Sequence, residues 1–164
     1  MLDNMTAISD YIANDRANIF AQLKELVSFN SVHNEPGLEE DAQKAAQWVE
    51  KTLTDAGVKV EAVKTADGST ALVGKRAGKE GAKTVLLYSH YDVVPVGPRE
   101  PWESDPLTLT ERTAPSGDTR WYGRGAADCK GNIAMHLAAL RAIDANGGTD
   151  LNLTFLIEGS EAVS

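Results

Sequence analysis

His90 and Asp92 stand two positions apart behind an apolar, β-rich run from Thr84 to Tyr88. In an extended chain, side chains at i and i+2 share one side, so an imidazole and a carboxylate can occupy one site. The carboxylate then has two uses: as a metal ligand itself, or as an acceptor that fixes the imidazole tautomer and frees the other nitrogen for a metal. A second group, Gly123-Arg124-Gly125-Ala126-Ala127-Asp128-Cys129-Lys130-Gly131-Asn132, precedes a helical pattern. Its Gly-x-Gly opening suggests a dinucleotide loop, but Asp128 fills the final small position of that fingerprint. A carboxylate there repels a pyrophosphate, and no strand is expected to run directly into Gly123. On a glycine-rich turn the same carboxylate suits a cation, and its two oxygens can bridge two of them. A third group, Glu158-Gly159-Ser160-Glu161, follows the apolar run Leu151 to Ile157. Acidic residues at a strand end are often simply solvated, yet parallel α/β sheets place their sites at the carboxyl ends of strands. His90, Asp92, Asp128 and Glu161 are therefore expected to converge at one sheet edge.

Other conspicuous residues have plainer uses. His33 lies in a polar loop beside Ser31, Asn34 and Glu35, where a solvated side chain is favoured over a ligand. His136 sits on a helix three residues past Ile133 and reads as packing or edge exposure. Cys129 reads as a small packing residue rather than a soft ligand, and Trp102, Trp121 and Tyr122 as loop packing at least as readily as cleft lining.

The elements that must carry these groups are legible from periodicity. Apolar residues from Ile8 to Val27 repeat at helical spacing, and a second helix spans Leu38 to Ala56 and stops at Gly57. Val58 to Val63 and Thr70 to Val73 read as strands, and as a hairpin if they pair. Thr84 to Tyr88 shows no polar alternation and is expected to be buried on both faces. A proline-rich stretch follows, with a small hairpin expected between Leu107 and Trp121, then a helix from Gly131 to Asn146 and a strand from Leu151 to Ile157. This order predicts an α/β fold with a mixed, largely parallel central sheet flanked by helices.

Composition narrows the function classes. At 164 residues, 42% hydrophobic and 24% charged, the chain is long enough and apolar enough for one domain with a core. A net charge of −8 without a basic stripe argues against a nucleic-acid partner. The single cysteine excludes an intrachain disulfide, and no apolar run is long enough to span a bilayer. A cytoplasmic protein is expected, with no membrane partner.

The ordered motifs Ser89-His90-Tyr91-Asp92-Val93-Val94-Pro95, Pro101-Trp102, Asp105-Pro106, Trp121 to Gly125, Asp128 to Gly131 and Phe155 to Glu161 resemble those of the M20 metallopeptidase family. The resemblance covers most of the chain from Thr84 onward. It implies His90 as a ligand of one metal, Asp92 as the aspartate that orients it, Asp128 as the carboxylate bridging two metals, and Glu161 as the general base. It also implies two zinc ions, with cobalt or manganese as alternatives. The substrate implied is a dipeptide or short peptide, and the longer protein is compatible with a homodimer.

The chain departs from the family pattern at Ala162, where a second glutamate is expected as a metal ligand. Further ligands and a smaller lid or dimerisation domain are also expected elsewhere in the family. Residues 1–164 are accordingly expected to be the amino-terminal portion of a catalytic domain, inactive by itself. Two alternatives stand beside this reading: a non-catalytic binding or interaction module on a peptidase scaffold, and an N-acyl amino acid deacylase.

Overall fold

The computed structural model describes residues 2–162; Val163 and Ser164, which follow the departure at Ala162, lie outside the described residues. Four helices, α1 (Leu2–Asn14), α2 (Arg16–Ser28), α3 (Glu39–Asp55) and α4 (Lys130–Ala145), accompany six strands. These are β1 (Lys59–Lys64), β2 (Thr70–Arg76), β3 (Thr84–His90), β4 (Thr110–Thr113), β5 (Thr119–Tyr122) and β6 (Asn152–Glu158). The first helical stretch, read in the sequence as continuous, divides at Asp15. There the carboxylate accepts from the Arg141 guanidinium at 2.6 and 2.9 Å, tying the junction to α4.

The main sheet has the order β1-β2-β6-β3. It is mixed, as expected, but not largely parallel: β1–β2 and β2–β6 are antiparallel, and only β3–β6 is parallel. The reason is connection length. The turn from Thr65 to Ser69 can only join antiparallel neighbours, whereas the parallel pair needs the long crossover through α4. The expected small hairpin is present as β4–β5, although β5 runs directly up to Gly123, where no strand is expected from the sequence.

β6 alternates in burial, with Leu153, Phe155 and Ile157 inward. They pack with Leu72 of β2, Ala45, Val49 and Leu53 of α3, and Ile133, Leu137 and Leu140 of α4 in one core. The expectation of a β3 buried on both faces is not met. β3 is an edge strand, and Leu86 and Tyr88 on its outward side are 61% and 43% exposed. A run without polar alternation reports apolarity, and it cannot say which face is covered. Among the described residues, no helix is long and apolar enough to cross a membrane.

Candidate metal centre

β3 and β6 run in parallel with His90 opposite Glu158, so both strands deliver their chemistry at the same edge. Immediately beyond the pair, Tyr91 N donates to Glu158 O at 2.9 Å. Asp128 arrives on the turn that opens α4, where its peptide bond to Cys129 is cis. The convergence expected of the four site residues is found.

The His90 ring organises them. Its Nδ1 lies 3.1 Å from the backbone oxygen of Asp92 and 3.2 Å from Asp92 Oδ1. Its Nε2 lies 3.0 Å from Asp128 Oδ1 and 3.3 Å from Glu161 Oε2. Asp92 Oδ2 accepts from the Ala162 amide at 2.7 Å, which ties the Glu161 segment to the β3 exit. Asp92 thus faces the imidazole with its backbone carbonyl as well as its carboxylate, and the carbonyl is the better-aligned acceptor. His90 and Asp92 are buried, while Asp128 and Glu161 are exposed. The orienting half of the site is dry and the reactive half is open.

The donor set fits a cation. Placing the proton on Nδ1 satisfies the Asp92 carbonyl, and Nε2 then presents a lone pair to two carboxylates. Three acceptors around one point repel one another unless a positive charge lies among them. Nitrogen and carboxylate oxygen are ordinary zinc donors. Cys129 Sγ falls in the same group, with its ligand atom and those of His90 and Asp128 all within 4.8 Å of one another. Burial pushes the Cys129 thiol above its usual range, and Asn132 Nδ2 donates to the sulfur at 3.0 Å. A protonated thiol is a poor ligand, so packing remains its role.

The other singled-out residues lie elsewhere. His33 is not solvated: its side chain is only 8% exposed, and Nε2 sits 3.8 Å from Asp67 Oδ2 in the β1–β2 turn. The loop folds back against that turn, a contact that no local pattern announces. His136 packs edge-on against Phe155, and burial lowers its pKa. Trp121 packs edge-on against Phe20, and Trp102 Nε1 donates to Val96 O at 3.0 Å.

Sequence reasoning missed two buried polar residues beneath the site. Ser31 Oγ donates to Tyr91 O at 2.6 Å, and Lys130 Nζ donates to Phe29 O at 2.7 Å. One signal for Lys130 was available: a cation in the first turn of a helix opposes the helix dipole and needs another reason to be there. Ser31 carried no signal.

Gly159 lies against Tyr91, whose Oη donates to Thr70 O at 2.7 Å. A Cβ at Gly159 would come within 2.2 Å of the Tyr91 hydroxyl oxygen. Gly159→Ala is therefore expected to destabilise the chain by about 1–3 kcal/mol through overpacking, read as a lower urea midpoint. An unchanged midpoint would mean that Tyr91 moves aside freely.

Residues 86–164 match the profile of peptidase family M20/M25/M40. A cysteinylglycine-S-conjugate dipeptidase of Corynebacterium striatum is 48% identical over 147 residues, covering 90% of this chain and 31% of that protein. A succinyl-diaminopimelate desuccinylase of Bordetella petrii is 33% identical over 144 residues, covering 87% of this chain and 34% of that protein. The crystal structure of human carnosine dipeptidase 1 superposes with a TM-score of 0.82 at 26% identity, over 94% of this chain and 34% of that one. The fold is that of M20 metallopeptidase catalytic domains, and the chain is similar to that family across residues 86–164 by the profile and across 90% of its length by the dipeptidase relative. It spans about a third of the length of these relatives.

Proposed function

We propose that the protein carrying this chain hydrolyses the amide bond of dipeptides or short peptides with the help of metal ions. The observation that carries this reading is the meeting of His90 Nε2 with Asp128 and Glu161 while Nδ1 is held by Asp92. His90 and Asp128 would hold the metal, with the second Asp128 oxygen available to a second ion. Zinc best suits the donors, with cobalt and manganese as substitutes. When bound, such ions supply Lewis-acid polarisation of the scissile carbonyl and lower the pKa of water. Glu161 takes the proton of the attacking water on Oε2 and returns it to the leaving amine. Asp92 keeps the His90 proton on Nδ1, so that Nε2 stays available.

The dipeptidase name of the relative at 48% identity favours a dipeptide over the N-succinyl substrate of the 33% relative. An N-acyl amino acid deacylase is the neighbouring alternative. A cytoplasmic setting suits the acidic charge and single cysteine. A second reading, a binding module on a peptidase scaffold, is favoured by one observation: Ala162 presents a methyl group where the family resemblance expects a carboxylate. Titration of the chelator-treated chain with Zn²⁺ and Co²⁺ separates the two, because a binding module needs no saturable metal site.

We also infer that residues 1–164 are the amino-terminal portion of the catalytic domain and that this chain alone turns over no dipeptide with zinc, cobalt or manganese. Among the described residues, His90, Asp128 and Cys129 form the one group of three or more clustered donors, and the thiol is a weak member. General-base help alone is worth about 10²–10⁴-fold, against the rate enhancements of about 10⁶-fold and more that enzymes supply. Ala162→Glu adds one carboxylate and is not expected to rescue activity. Chromatographic assay of Cys-Gly and Ala-Gly hydrolysis checks this; metal-dependent turnover that disappears in His90→Ala would overturn it.

A further inference from the structure

His90 and Asp128 reach the candidate metal centre on separate elements, 38 residues apart in sequence. Their side chains meet at 3.0 Å, and something must hold the β3 exit and the α4 turn at that spacing. The residues between α2 and α3 are bonded to both. Lys130, two residues past Asp128, donates from Nζ to Phe29 O at 2.7 Å. On the other side, Ser31 Oγ donates to Tyr91 O at 2.6 Å, and Val93 N donates to Ser31 O at 3.2 Å, so Ser31 grips the chain on both sides of Asp92. Asn30 N donates to Asp41 Oδ2 at 3.1 Å and anchors the middle of this strap to α3.

Ser31 and Lys130 are both fully buried. Taking an ammonium out of water costs several kcal/mol, and one carbonyl contact offsets only part of that. Lys130 is therefore poorly explained by stability, whereas its bond is, among the described residues, the side-chain link from the α4 turn to the strap. Gly125 is part of the same fit, because a Cβ there would lie 3.0 Å from Lys130 Cδ.

We propose that Phe29–Ser31 and Lys130 act as a positioning strap that sets the His90–Asp128 spacing for cation binding. The strap touches neither the cation nor the substrate. This inference rests on the metal-centre reading above, with zinc as the probe. Zinc affinity is measured by competition with a chromophoric chelator for the wild-type chain and for Ser31→Ala, Lys130→Met, His90→Ala and Arg141→Met. The last removes a polar link between α4 and residues Asp15 and Gln22, away from both donor arms.

Ser31→Ala and Lys130→Met are expected to weaken zinc binding about 10–100-fold, the usual effect of removing an outer support of a ligand. They should also shift the visible absorption of the cobalt-substituted chain. Arg141→Met is expected to lower the urea midpoint and leave zinc affinity unchanged, which separates positioning from general destabilisation. Should Lys130→Met fail to fold, Ser31→Ala decides, since it removes one hydroxyl and little volume. A folded Ser31→Ala chain that binds zinc as the wild type does overturns the strap. Absence of zinc binding in the wild type overturns the metal centre itself, while loss confined to His90→Ala leaves the centre standing and removes the strap.

Discussion

His90→Ala is expected to abolish measurable zinc binding by the chain, a loss of more than about 100-fold, since even outer partners of a ligand are worth about 10–100-fold. The substitution removes the only imidazole at the site and the atom that Asp128 and Glu161 both face, at 3.0 and 3.3 Å. What remains is a pair of exposed carboxylates, which water solvates as well as an ion does. Asp92→Asn is expected to do less, near the lower end of that range. Its backbone oxygen still accepts from Nδ1 at 3.1 Å, so the tautomer survives the loss of the charge. Calorimetric titration of both variants reads the difference. If His90→Ala binds zinc as the wild type does, the donors lie elsewhere and the proposed hydrolytic role of the site falls with them.

The candidate site was legible before the fold because its residues follow recognisable strand ends and turns. Spacing placed His90 and Asp92 on one side of β3, and the apolar runs before His90 and Glu158 became the two parallel neighbours that align them. What was illegible depended on which surfaces are covered. Leu86 and Tyr88 look like core residues in sequence, yet the outward face of an edge strand leaves them exposed. His33 looks like a loop residue, yet a long-range approach to Asp67 buries it. Sheet direction was misjudged for a related reason. A buried apolar strand suggests parallel neighbours, but the short Thr65–Ser69 turn and the return of β6 beside β2 make two of the three pairings antiparallel. Ser31 and Lys130 stayed hidden because their partners are backbone carbonyls, which leave no mark on residue type.

Lys130 also gives the chain a pH-dependent stability that can be measured apart from any metal. Burial pushes its ammonium pKa down to about 7, against a weaker pull upward from Asp41 and Asp92. The unfolded chain keeps that proton to a pH near 10.4. Between these values the unfolded state binds more protons than the native state, so stability rises with pH, by at most about 1.4 kcal/mol per unit. Below about pH 7 both states are protonated and the contribution is absent. The rise cannot continue indefinitely, because burial raises the pKa of the Cys129 thiol and of the Tyr88 and Tyr91 phenols, the last to about 12. Those groups ionise first in the unfolded chain and oppose the rise from about pH 9 upward. The clean window is therefore pH 7 to 9. Urea unfolding of the metal-free chain across it should show wild-type stability climbing relative to Lys130→Met, by about 2–3 kcal/mol in total. Parallel curves for the two proteins would mean that Lys130 keeps its proton in the fold, held by Asp41 and Asp92 more strongly than burial expels it.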